Sequence, residues 1–117
     1  MSDEWYTPKE LMQFFEGWDD PATPNRTDGL TRKWTDPTYV NPPYSNPLPW
    51  VEKAIEASRG GCRIAMLLKH DSSTKWWRLL HENGAYFFPL IGRLGFSENR
   101  QKANFPSVLV FLPRRHP

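Results

Sequence analysis

At 117 residues, 38% hydrophobic, 15% aromatic and 24% charged, the chain is expected to form one globular domain over residues 1–117, with no room for a second. Its net charge of +2 is unevenly placed: residues 1–58 carry five Lys/Arg against ten Asp/Glu and residues 59–117 carry ten against three, which suits a polyanion partner on the C-terminal side. A lone Cys62 excludes an internal disulfide, three scattered histidines give no metal-ligand spacing, and an acidic start without a long apolar run argues against a leader or membrane span, so no metal, no membrane and a cytoplasmic location are expected.

In chain order, Thr7 reads as a helix N-cap, with Pro8 at the first position and Glu10 at the third. Leu11, Phe14 and Phe15 form the apolar face of that helix, and Gly17 stops it. Trp18-Asp19-Asp20-Pro21 reads as a short strand with acidic residues at its end. A loop-rich stretch follows, and Thr38-Tyr39-Val40 reads as the end of a strand. Pro49-Trp50 opens a helix to about Ser58, closed by Gly60-Gly61. Arg63 to Leu68 is a nearly continuous apolar run, suited to a strand buried on both faces of a parallel sheet, and Cys62 before it reads as core. Ser72-Ser73-Thr74 caps a helix over Lys75 to Asn83, ended by Gly84. Ala85 to Pro89, Ile91 to Phe96 and Ser107 to Leu112 are the remaining strands. Phe87, Phe88 and Phe111 read as core, and Trp34 and Trp50 as packing residues.

From Tyr39 the order is strand, helix, strand, helix, strand, loop, strand, which predicts a doubly wound α/β sheet. Ligands bind such sheets at the carboxyl ends of the strands. Asn41-Pro42-Pro43-Tyr44, Lys69-His70-Asp71 and Asp19-Asp20 all fall at predicted strand ends and are expected to line one crevice.

Asn41-Pro42-Pro43-Tyr44 carries the most specific chemistry. Two prolines stiffen the loop and remove two backbone donors, leaving carbonyl oxygens beside an amide and an aromatic ring. The Asn41 side-chain oxygen and the Pro42 carbonyl can each accept one N–H of an exocyclic amine, while Tyr44 stacks on the ring that bears it. Pro-Pro-aromatic also occurs in polyproline segments that dock on other domains. His70 beside Asp71 reads as a strand-end loop pair rather than an acid–base couple.

Asn-Pro-Pro-Tyr is also the motif of methyltransferases that act on amino groups. The resemblance extends along nearly the whole chain. Trp5-Tyr6-Thr7-Pro8, Trp18-Asp19-Asp20-Pro21, Asp28-Gly29-Leu30 with Trp34, Asn41-Pro42-Pro43-Tyr44 with Trp50, Gly92-Arg93-Leu94-Gly95-Phe96 and Phe105-Pro106-Ser107 follow one another in the order of the phage-type, Dam-like DNA N6-adenine methyltransferases, which the chain resembles. The resemblance implies a reduced, Rossmann-like methyltransferase sheet flanked by helices and S-adenosylmethionine as cofactor. It implies methyl transfer to adenine N6 in DNA, catalysed through Asn41, Pro42, Pro43 and Tyr44. Cofactor contacts are implied for Trp5, Tyr6, Thr7, Pro8, Asp19, Asp20, Asp28, Leu30 and Asn41, with the two aspartates taken jointly. Nucleic-acid contacts are expected from Tyr44, Lys69, Arg93, Arg100 and Lys102, with Gln101 and Asn104 as candidate base readers.

The chain departs from the pattern in one place. It lacks a Phe-x-Gly-x-Gly loop, and Gly17 to Asp28 is too short for the strand–helix–strand unit that usually cradles the cofactor. Three other readings of the same loop are methylation of RNA adenine, methylation of protein glutamine, and a DNA-binding module without turnover. A domain with so few elements can also complete its core by pairing with itself as a homodimer.

Overall fold

The computed structural model describes residues 5–6, 8–23, 27–90, 93–94 and 106–114. In chain order the elements are β1 (Trp5–Tyr6), α1 (Pro8–Met12) running into a 3₁₀ turn (Gln13–Phe15), β2 (Thr38–Val40), α2 (Leu48–Arg59), β3 (Ile64–Lys69), α3 (Lys75–Glu82), β4 (Tyr86–Pro89), β5 (Arg93–Leu94) and β6 (Ser107–Leu112).

The main sheet has the order β2-β3-β6-β4. β2 and β3 are parallel, with Val40 opposite Met66, and α2 makes the crossover between them. β6 runs antiparallel to both β3 and β4, which are therefore parallel to each other. The β3-α3-β4 crossover thus leaves a gap that the last strand fills in the opposite direction. This is the predicted reduced Rossmann-like sheet flanked by helices, with one antiparallel strand inserted. Asp19 adds a single parallel bridge to Thr38 at the β2 edge. The acidic segment predicted as a strand is reduced to that bridge. Within the segment predicted as a strand from Ile91 to Phe96, only Arg93–Leu94 is described, and it pairs in parallel with β1.

Strand alternation sorts β3 between two cores. Ile64, Met66 and Leu68 pack with Val40, Val51, Leu80 and Val110 under α2 and α3. Ala65 and Leu67 face the opposite way, with Tyr39 and Phe15. The Phe15 ring stacks on Tyr39 at 4.6 Å and meets Trp18 edge-on at 5.0 Å. The sheet is therefore covered on both faces, which is why β3 lacks polar residues until Lys69.

Local chemistry fixes the crossover helices. Thr74 caps α3, its hydroxyl accepting from the Trp77 amide at 3.2 Å. α2 begins with proline in its first turn and ends at Gly60, and Gly61 follows with φ of 100°, a conformation that favours glycine. Cys62 is buried, as expected, 3.5 Å from the Thr38 hydroxyl. Trp34 is buried and stacks on Trp50 at 6.4 Å. Phe88, by contrast, is 52% exposed. β4 is an edge strand, where Phe88 stands opposite Leu109 of β6 and meets Phe111 edge-on at 5.7 Å.

Candidate functional site

Because β2 and β3 are parallel, their carboxyl ends share one rim of the sheet. Asn41 to Tyr44 leave β2 there, and His70 and Asp71 leave β3. The inserted strand begins at the same rim: Ser107 pairs with Lys69, and the His70 amide donates to the Pro106 carbonyl at 2.9 Å. The end of β4 joins them through the Leu90 amide, which donates to the Ser107 carbonyl at 2.9 Å.

Two cavities flank the end of β2. The first, about 230 Å³, is walled by Pro42, Pro43 and Tyr44 on one side and by Leu68, Lys69, Asp71, Thr74 and Trp76 on the other. Pro42 is buried in its wall, whereas Tyr44 is 45% exposed at its mouth. The second is a cleft of about 650 Å³ lined by Gln13, Phe15, Glu16, Trp18, Asp20 and Tyr39. Burial raises the pKa of the Tyr39 hydroxyl well above the phenol range, and Asp20 from the cleft and Tyr44 from the smaller pocket add to the rise. By strand alternation Asn41 continues the cleft-facing side of Tyr39, while Pro42 continues the other. Asn41 thus lies in the chain between Tyr39, which lines the cleft, and Pro42, which lines the pocket. Among the described residues, no hydrogen bond ties down its side chain. A larger cleft of about 780 Å³ opens at the opposite end of the strands, between Trp34, Asp36, Lys53 and Cys62, away from this rim.

The two aspartates taken jointly from the sequence part company. The Asp19 carboxylate accepts from both terminal nitrogens of Arg32, at 2.6 and 2.9 Å, and from the Thr35 amide at 2.9 Å. The bond from Arg32 is the main cause of its pKa falling from 3.8 to about 2. Asp20, the next residue, faces the cleft. Asp19 thus ties the acidic segment to the loop before β2, a role visible only when Arg32 is brought back across 13 positions.

The Asp19–Arg32 pair gives stability a definite pH dependence. A carboxylate whose pKa is depressed on folding stabilises the native state fully above its unfolded pKa. That stability is lost as pH falls through the folded value. Here the window runs from about pH 4 down to about 2, and the contribution is roughly 2 kcal/mol. Asp19→Asn is expected to cost about 3 kcal/mol near neutral pH, because it strands a guanidinium whose Nε is already buried without a partner among the described residues. It should also flatten the acid limb between pH 4 and 2. Urea unfolding across that range checks both, and an unchanged acid limb would contradict the assignment.

The other predicted site residues divide as follows. Trp5 and Tyr6 form β1, which pairs with Arg93 and Leu94, so the first and the late landmark segments meet. Pro8 opens α1, and Thr7 lies outside the described residues. Asp28 is exposed and opens a turn in which its carbonyl accepts from the Thr31 and Arg32 amides; Leu30 in that turn is 39% exposed. Lys69 ends β3 in the wall of the smaller pocket. Arg100, Gln101, Lys102 and Asn104 lie outside the described residues. Trp76 and Tyr39 line the two cavities and were not singled out from the sequence. Their strand-end and helix-start positions were the only signal.

Among the described residues no group of three or more His, Cys, Asp or Glu side chains could hold a metal, and no helix is long and apolar enough to cross a membrane.

Comparison with known proteins gives the lineage of this rim. The family profile for DNA N-6-adenine-methyltransferase (Dam) matches residues 22–116. A DNA N-6-adenine-methyltransferase of Escherichia phage T1 is 35% identical over 101 residues, covering 71% of this chain and 42% of the relative. A protein of the same description from Haemophilus phage HP1 (strain HP1c1) is 34% identical over 96 residues, covering 75% of this chain and 56% of the relative. The chain thus spans about half the length of the curated relatives it matches. No solved structure matches it. The matched span takes in the rim loop, both crossover helices and the inserted strand, and by it the chain belongs to the DNA N-6-adenine-methyltransferase (Dam) family.

Proposed function

We propose that the chain transfers a methyl group from S-adenosylmethionine to N6 of an adenine extruded from DNA, with Asn41-Pro42-Pro43-Tyr44 as the clamp on the amine. The observation that carries this reading is the position of Asn41 just past the carboxyl end of β2, in the chain between Tyr39, which lines the larger cleft, and Pro42, which lines the small aromatic-walled pocket. Family membership supports the same chemistry and the same substrate class.

Adenine N6 is a weak nucleophile because its lone pair is delocalised into the ring. The Asn41 oxygen and the Pro42 carbonyl accept its two protons and favour a pyramidal nitrogen with the lone pair directed away from the ring plane. Tyr44, exposed at the pocket mouth, stacks on the base once it leaves the helix. Catalysis here is positioning plus local electrostatics: as the N–C bond forms, the methyl group's bond to the cofactor sulfur would break with its electron pair going to sulfur, leaving a thioether, and the proton lost from N6 would pass to solvent.

The cleft fits the cofactor in chemistry. Carboxylates of Glu16 and Asp20 suit an ammonium group and ribose hydroxyls, and Phe15, Trp18 and Tyr39 supply aromatic surface. When bound there, S-adenosylmethionine supplies an electrophilic methyl group. The N-terminal segment Trp5 to Pro8, Asp28 and Leu30 complete the proposed cofactor contacts. The proposed DNA contacts are Lys69, at the carboxyl end of β3, together with Arg93, Arg100 and Lys102.

Cofactor binding has a simple test. A ligand that binds only the folded state at about 100 times its Kd adds about 2.7 kcal/mol, a rise in Tm of several degrees or more for a domain of this size. Saturating S-adenosylmethionine is expected to give that rise, and Asp20→Ala to reduce it. No shift at any concentration would favour the alternative of a DNA-binding module without turnover.

A further inference from the structure

We propose that the His70 imidazole is a stacking platform for an unpaired nucleobase next to the extruded adenine. The proposal rests on the adenine-methylation reading and adds a substrate contact to it.

His70 is the first residue beyond β3, so it stands on the same rim as the Asn41 loop, one strand away. Its backbone is pinned by the bond from its amide to Pro106. Its ring is pinned separately. It lies on Trp77 with centroids 5.3 Å apart and planes 7° from parallel, and Trp77 in turn lies on Phe87 at 4.4 Å and 17°. Three rings thus form one column, from β4 through α3 to the rim, and its last member is exposed.

The column has the form of a support for another flat ring. An aromatic side chain already immobilised loses little freedom when a base stacks on it. Every base has a face to offer, so such a contact tolerates sequence variation. Lys69, which precedes His70 and pairs with Asp71 at 4.0 Å, and Lys75, which opens α3, are both exposed and suit the phosphates of a strand whose base lies on the ring. An acid–base role fits less well. Asp71, the neighbouring carboxylate, accepts from the Ser73 amide at 3.1 Å and from the Ser73 hydroxyl at 2.5 Å. Among the described residues no carboxylate orients the imidazole.

The test measures binding and needs no turnover. A short single-stranded adenine-containing oligonucleotide carrying 2-aminopurine is titrated into the full chain without cofactor, following the quenching that stacking causes. Base–aromatic stacking is worth about 1–3 kcal/mol, so His70→Ala and His70→Gln should each weaken binding about tenfold and lose most of the quenching. His70→Phe, which keeps the ring and removes the imidazole nitrogens, should bind about as tightly as the parent. Thermal unfolding of each variant confirms that it is folded. His70→Ala and His70→Gln binding like the parent would overturn the platform and leave the methylation reading standing. His70→Phe as weak as His70→Ala would also overturn it, because the contact would then be polar. A parent chain that binds no oligonucleotide would overturn both.

Discussion

Asn41→Ala is expected to lower methyl transfer to DNA by on the order of 10²–10³-fold while leaving the Tm rise with S-adenosylmethionine nearly intact. Removing one preorganised partner of a reacting group costs about that much when the group acts mainly in the transition state. Asn41 is well placed for a clean result. It lies past the end of β2, is only partly buried, and no hydrogen bond holds its side chain among the described residues. Truncation should therefore cost little stability. Single-turnover methylation with a tritiated cofactor checks the rate and a thermal melt checks the fold. A variant that methylates DNA at the parent rate would sink the clamp assignment. A variant that loses both turnover and the cofactor-dependent Tm rise would move Asn41 from the amine to the cofactor.

Gly29→Ala is expected to be the most destabilising of the small substitutions, by about 3 kcal/mol or more, a fall in Tm on the order of 10 °C. A Cβ at Gly29 would overlap the Pro21 carbonyl and come within 2.6 Å of the Trp50 ring. Neither can yield easily. Pro21 is buried beside the Asp19 bridge, and Trp50 is stacked on Trp34, whose indole donates to the Gly29 carbonyl at 2.7 Å. Gly17→Ala makes the control. Gly17 has φ of 86°, but a Cβ there meets nothing within 4 Å, so only the backbone strain of about 1 kcal/mol applies. Chemical denaturation of the two variants should separate them clearly. Equal losses would mean that the Gly29 contact relaxes.

The Gly29 contact also shows where sequence reading stops. Asp28-Gly29-Leu30 stands out in the sequence only as a landmark of the resemblance, and nothing in the local string tells that Gly29 lies under Trp50, 21 positions on. The turn and the pairing of Trp34 with Trp50 are present, and the glycine's reason is tertiary. The same holds for Asp19 and Asp20. As adjacent carboxylates they are equivalent until Arg32 returns to claim one of them.

Other features were legible because their causes are local. Thr74 caps α3 through a bond three residues on, and the apolar run of β3 marks a strand covered on both faces. A strand end followed by Asn-Pro-Pro-Tyr predicted a rim loop, which the parallel pairing of β2 and β3 delivers. The direction of the last strand was not legible. Val108 and Val110 are equally buried whichever way β6 runs, and only its partners on both sides settle that it is antiparallel. The exposure of Phe88 follows from β4 lying at the sheet edge, which a short apolar run does not reveal.

The central claim is that this rim methylates adenine. Incubating the chain with isotope-labelled S-adenosylmethionine and DNA, digesting the product to nucleosides and identifying the labelled one by mass spectrometry tests it most directly. Label in N6-methyladenine is expected. Label in another nucleoside, or none in DNA despite a Tm rise with the cofactor, would contradict it.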